Sequence, residues 1–190
     1  MRIFLNKAEG KMKKFCISFT LFLIIILSAV SAGKFPREKA NTEYLRIHIR
    51  ADSNEQQAQA VKYKVKDAVV AYLTPFIAEC DTKQKAESML AEKLSEIETV
   101  ADKVLTEQGF EYTAHAKINT ENFPTRSYGD FTLEQGYYDA LIIELGSGKG
   151  DNWWCVVYPP LCFTGAGGNY VYKSKILEII KNFTDKKGEL

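Results

Sequence analysis

Histidine is the scarcest chemistry-bearing residue here: the 190 residues hold two, His48 and His115. A catalytic zinc centre draws on about three protein ligands and a structural one on about four, so a carboxylate would have to complete any such site. The sequence has no HExxH, no CxxC and no GxSxG. Those gaps remove the usual signatures of a metalloprotease, a zinc ribbon or redox pair, and a serine hydrolase. The segment GSGKG at Gly146–Gly150 lacks the Ser or Thr that must follow the lysine of a phosphate-binding loop, and a strand pattern follows it where a helix is needed. It reads instead as a turn whose glycines supply positive φ. Net charge is also low, at +1. The first 32 residues carry five basic side chains against Glu9 alone, so residues 33–190 are left at −3. A mildly acidic domain without a basic block does not bind nucleic acid through phosphates.

What is present begins with the longest apolar run. Lys11, Lys13 and Lys14 precede FCISFTLFLIIILSAV, residues 15–30, and Val30-Ser31-Ala32 offers small residues at a peptidase site. This is the order of a secretory signal, and the run falls short of the roughly 20 residues a membrane span needs. The expectation is a signal peptide over 1–32, a flexible lead-in over 33–43 and one domain over 44–190. Cleavage and retention as an anchor both fit, as do starts at Met1 and Met12. Export leaves Cys80, Cys155 and Cys162, an odd number for an oxidising compartment. Cys155 and Cys162 flank Pro159-Pro160 and can form a disulfide across that turn; three small buried apolar side chains is the alternative.

Hydrophobic period then sets the elements. YLRIHIRA, residues 44–51, alternates every second position and predicts a half-buried strand with Arg46, His48 and Arg50 on its polar side. Ser53 and Gln56 suggest a capping box, and a helix follows, expected to end near Leu73 before Pro75. Asp81 and Gln84 suggest a second cap, and Leu90, Leu94, Ile97, Ala101 and Val104 mark a second long helix stopped by Gly109. Residues 110–118 alternate as a strand, with His115 on the polar side, and 119–136 read as a long connection. YDALIIEL (138–145) and WWCVVY (153–158) are apolar on both faces and predict central strands joined by a hairpin turn. A last helix carries Ile176, Ile179, Ile180 and Phe183. The class is α+β: two long helices plus a C-terminal helix on a mainly antiparallel sheet of about four strands.

Two segments stand apart: FPTRSYG, residues 123–129, and NWWCVVYPPLCF, residues 152–163, which holds both tryptophans. Neighbours in a strand face opposite ways, so Trp153 and Trp154 cannot share a face. With LRIHIRADSNEQQAQAVKYKVKDAV (45–69) and GYYDALIIELGSGKG (136–150), these segments resemble the stage II sporulation protein R family. Glu134-Gln135-Gly136 departs from the Pro-Ala-Gly expected there, and Asp151 stands where a histidine is usual. The chain also ends soon after its last helix, without the C-terminal extension of some relatives.

The resemblance implies a protein made in the forespore and exported into the space between the two membranes. There it would trigger a membrane-embedded aspartic protease of the mother cell, which processes the precursor of sigma factor E. It implies no catalytic residues, cofactor, metal or small-molecule substrate in this chain. Residue type and clustering nominate Arg126, Tyr128 and one of Trp153 and Trp154 as partner contacts, since exposed Trp, Tyr and Arg dominate protein–protein hot spots. The alternative is a secreted zinc-dependent cell-wall hydrolase using His48, His115 and an acid.

Overall fold

Arg46, His48 and Arg50 alternate with Leu45, Ile47 and Ile49 along the first strand, yet both sets end up inside the protein as far as Arg46 and His48 are concerned. The computed structural model describes residues 41–129, 131–164 and 170–188. The signal peptide expected over 1–32, most of the lead-in expected over 33–43, and residues 165–169 lie outside them. The chain divides into Met1–Glu38 and Lys39–Leu190, and all described residues belong to the second unit.

In chain order the elements are β1 (Asn41–Arg50), α1 (Gln56–Ile77), α2 (Lys83–Glu92), α3 (Leu94–Glu107), β2 (Ala114–Phe123), β3 (Arg126–Tyr128), β4 (Phe131–Leu133), β5 (Gly136–Leu145), β6 (Asn152–Tyr158), a 3-10 turn (Leu161–Phe163) and α4 (Tyr170–Gly188). The main sheet has the order β2-β5-β1-β6, and β3 pairs with β4 in a separate ribbon. β2 runs antiparallel to β5 and β6 antiparallel to β1, while β1 and β5 are parallel. The architecture is α+β, mainly antiparallel with one parallel pair.

The first face of the sheet carries Leu45, Ile47, Ile49, Leu141, Ile143, Cys155 and Val157, packed with Val61, Val65, Leu73, Leu90, Ile97 and Leu105 of α1–α3. Each such side chain taken from water contributes about 1.5–3 kcal/mol. This burial explains why α1 does not stop at Leu73. Pro75 sits inside it, and Leu73, Thr74 and Ile77 of its last turns are all buried. Thr74 Oγ1 donates to the Val70 carbonyl at 2.7 Å. Glu55 is the N-cap of α1 without a side-chain cap bond, so Ser53 and Gln56 form no capping box. The second long helix is two, broken at Lys93, and its cap is Thr82, whose hydroxyl accepts from Lys85 N.

The third strand pattern is shifted. β2 begins at Ala114 and continues to Phe123, because Asp102 and Glu98 of α3 accept from the Ala114 and Ala116 N–H groups at 2.6 and 2.7 Å. Carboxylates thus occupy an edge that would otherwise invite another strand. The 119–136 region is no plain connection, since β3 and β4 fold within it. At the other edge lies β6, where a central strand was expected; β1 takes the centre beside β5. β6 is nonetheless buried at Cys155, Val156 and Val157. The 3-10 turn packs against it, and Cys155 is bridged to Cys162 with Cα atoms 6.4 Å apart. Cys80 is a free, buried thiol.

Residues 146–151 are likewise no hairpin turn, because β1 lies between β5 and β6. The segment crosses the end of β1 and is held there by the residues leading to α1. Asp52 Oδ1 accepts from Ser147 N at 2.7 Å, Gly150 N donates to the Ala51 carbonyl at 2.8 Å, and Asn54 Oδ1 accepts from Asp151 N at 2.6 Å. A Cβ on Gly150 would lie 2.3 Å from the Ser53 carbonyl oxygen. Gly150→Ala therefore has to push two backbone segments apart. It is expected to lower unfolding free energy by about 1–3 kcal/mol, read from urea denaturation; an unchanged midpoint would show that the crossing is slack.

Candidate functional site

The second face of the sheet holds the unusual chemistry. Arg46 is fully buried, and His48 nearly so at 1% exposure. The expectation that they face solvent is corrected, and the reason is the course of β2. Lys117 is level with Ile142, and Ile142 with His48. Yet Phe123, well beyond Lys117, meets His48 at a ring separation of 5.7 Å and Trp154 at 4.8 Å. The far ends of β2 and β5 therefore curl over the face opposite α1–α3, where Phe183 of α4 also packs against Tyr44. Tyr44, Phe123, Leu133, Tyr138, Ala140, Ile142 and Val156 form a second core there.

Arg46 lies inside this core. Its guanidinium carbon sits 4.3 Å from the Phe123 ring centre and 5.0 Å from that of Tyr138. Its Nη2 donates to the Tyr128 hydroxyl at 2.6 Å, while Nε and Nη1 have no partner among the described residues. Burial lowers the Arg46 pKa, and nearby Arg126 pushes the same way, against the pull of Tyr128 and Tyr138. Burial likewise raises the Tyr128 and Tyr138 pKa values, opposed by Arg46. Aromatic faces attract a cation through their quadrupoles, and among the described residues no carboxylate pairs with this one.

His48 stacks on Trp154 at 3.6 Å and 18°. Its Nδ1 lies 3.2 Å from Glu121 Oε2. The same oxygen accepts from Arg50 Nη2 at 2.6 Å, and Arg50 Nη1 donates to Glu144 at 2.6 Å. Lys117 closes the chain on Glu144 at 2.9 Å. Arg50 thus has the counter-charges that Arg46 lacks. Burial lowers the His48 pKa, assisted by Arg50, although Asn152 and Glu121 favour the protonated ring. His115 pairs with a different carboxylate, Glu98, at 3.0 Å. Among the described residues no group of three His, Cys, Asp or Glu is placed to hold a metal.

Of the nominated contacts, the structure brings three to this side. Arg126 is exposed on β3, where its Nη1 donates to the Thr125 carbonyl at 3.2 Å. Tyr128 is half-buried and turned inward onto Arg46, and Trp154 lies on His48. Trp153 faces the other way, packed on the first core beside Lys66 of α1. Arg46 itself was missed. Its signal was indirect: FPTRSYG and Tyr138 supply aromatics to a segment with no apolar strand of its own to cover.

The family model described as stage II sporulation protein R matches residues 41–167. The stage II sporulation protein R of Bacillus subtilis (strain 168) is 30% identical over 186 residues, covering 92% of this chain and 83% of that protein. Both names refer to sporulation and to no catalysed reaction. No solved structure matches the chain.

Two outcomes follow from this geometry. Tyr128→Phe leaves a third nitrogen of a buried cation unpaired and should cost about 1–3 kcal/mol of stability; no loss in urea denaturation would mean the hydroxyl is irrelevant to Arg46. For His48, the folded pKa lies below the unfolded value of 6.5. The unfolded chain then binds the proton more readily, so the stability is present above the unfolded pKa and is lost as pH falls below it towards the folded pKa. Wild-type stability should fall as the pH drops through and below the unfolded value of 6.5. His48→Gln should flatten that drop, and an equal slope in the variant would assign it to other groups.

Proposed function

Because the chain belongs to the stage II sporulation protein R family, we propose that it acts as an exported sporulation signal that works by binding. In this reading the N-terminal segment directs the domain across the forespore membrane. The domain then contacts the extracytoplasmic face of a membrane-embedded aspartic protease of the mother cell, and that protease processes the precursor of sigma factor E. The aspartates of the reaction belong to the partner. This chain supplies differential affinity: it favours the active state because it binds that state more tightly, the only way a ligand shifts an equilibrium.

The observation that carries the reading is the family match, which spans β1 through the 3-10 turn and so includes both unusual segments. The structure adds a surface suited to it. β3 and β4 form a small ribbon paired only with each other. The ribbon presents Arg126 outward while Tyr128 ties it to the buried Arg46. An exposed arginine on an aromatic-anchored hairpin is the type of contact that dominates protein interfaces.

The test is co-expression of this chain with the protease and the sigma precursor. Processing should require the chain. It should fall when Arg126 and Tyr128 are both replaced by Ala in a protein still exported and folded. Processing in the chain's absence would refute the activation reading, and normal processing by the double variant would refute this site.

A further inference from the structure

One covalent bond fastens the last segment of the fold to the sheet. Pro159 and Pro160 end β6, and the chain turns back through Leu161–Phe163. Leu161 N donates to the Pro159 carbonyl at 2.8 Å and Phe163 N to the Pro160 carbonyl at 3.2 Å. Those two bonds lie within the turn and do not tie it to a strand. Cys162 does, through its bond to Cys155 of β6, seven residues earlier. Beside the bond, Phe163 is buried in the first core and Leu161 packs against the second.

α4 follows this turn. Its ion pairs, Lys175 with Glu79 and Lys187 with Glu43, lie in solvent, where such pairs contribute little. Its apolar anchors are Ile176 and Ile180 on the first core and Phe183 on the second. The Phe183 ring meets Tyr44 at 5.3 Å and Tyr158 at 6.2 Å. Leu161 and Phe183 thus flank the same cluster as Tyr128 and Trp154, two of the nominated partner contacts. The segment fastened by the disulfide completes the face that carries them.

The third cysteine is kept apart from this chemistry. Cys80 is buried, and its thiol donates to the Phe76 carbonyl at 3.3 Å. Burial first, and then Asp81, raises its pKa. The thiolate is the form that attacks a disulfide, so Cys80 does not compete for either sulfur. Cys162 is half-buried and Cys155 fully buried, so a reagent from solvent meets Cys162.

We propose that the Cys155–Cys162 bond is a redox switch on docking: as two thiols it leaves the turn and α4 unseated, and its oxidation after export seats them and completes the docking face. The Cys162 thiolate attacks a small-molecule or protein disulfide, forming a mixed disulfide and expelling one thiol. The Cys155 thiolate then attacks the Cys162 sulfur and expels the second. The chain gives up two electrons and two protons, and the oxidant becomes two thiols. The timing rests on the export and docking reading above; the coupling of the bond to α4 does not.

The test is hydrogen exchange, read by mass spectrometry, on the full chain reduced with dithiothreitol or oxidised with oxidised glutathione. Reduction should speed exchange at residues 161–164 and 176–187 at least about tenfold, since closing a loop of this span is worth that factor or more. Residues 61–70 of α1 should not change. Reoxidation should restore slow exchange, with Cys80 still open to alkylation once the chain is denatured. Cys155→Ala with Cys162→Ala should exchange like the reduced chain whatever the oxidant, and Cys80→Ser like the wild type. Equal exchange of α4 in both states, equal acceleration in α1, or Cys80 in the reformed bond overturns the proposal. If the double alanine variant drives normal sigma-precursor processing, the switch falls and the activation reading stands. If reduction loosens α4 while processing never depends on the chain, the reading falls and the coupling of the bond to α4 stands.

Discussion

The cation of Arg46 within Phe123, Tyr128 and Tyr138 is the constraint around which the second face of this sheet is built. A guanidinium cannot be left in a hydrocarbon interior without partners, and here its partners are aromatic faces and one hydroxyl. Those groups come from β2, β3 and β5, so the curl of the β2–β5 ribbon and the seating of the hairpin both converge on one side chain. The first face needs no such device: it is an aliphatic sheet against three helices, held by ordinary burial.

The two faces divide the labour of the fold. Helices α1–α3 fix β1 and β5 in place and leave the opposite side chains of those strands to aromatic, polar and charged neighbours. Along β1 these neighbours grade from a caged cation at Arg46, through a stacked ring at His48, to a paired cation at Arg50. Among the described residues only the first of these lacks a counter-charge, and it lies beneath the β3–β4 pair, which carries on the β2–β5 ladder in the same register.

Much of the architecture was legible because period-two and three-to-four spacings report burial directly. β1, β5, the α1 stripe and the opposed directions of Trp153 and Trp154 follow from such patterns, whereas the family resemblance rests on the particular residues of motifs such as NWWCVVYPPLCF. The misreadings share a cause. Pro75 and the capping residues were weighed locally, whereas Leu73, Thr74 and Ile77 were held by tertiary contacts. The 146–151 crossing has the spacing of a hairpin turn, and sequence spacing cannot show that β1 inserts between β5 and β6. Alternation along β1 implies one wet face, yet Arg46 and His48 on that face are buried. Nothing local revealed that β2 would bend back over it, and the aromatics that cover Arg46 lie far along the chain.

The central claim is that Arg46, which costs stability where it lies, is kept because it seats Tyr128 and the β3–β4 pair for the docking proposed above. The most direct measurement replaces it with methionine, similar in length and uncharged, and reads urea denaturation and sigma-precursor processing on the same variant. The account predicts a chain at least as stable as the wild type that no longer supports processing. A strongly destabilised chain that still drives processing would contradict it.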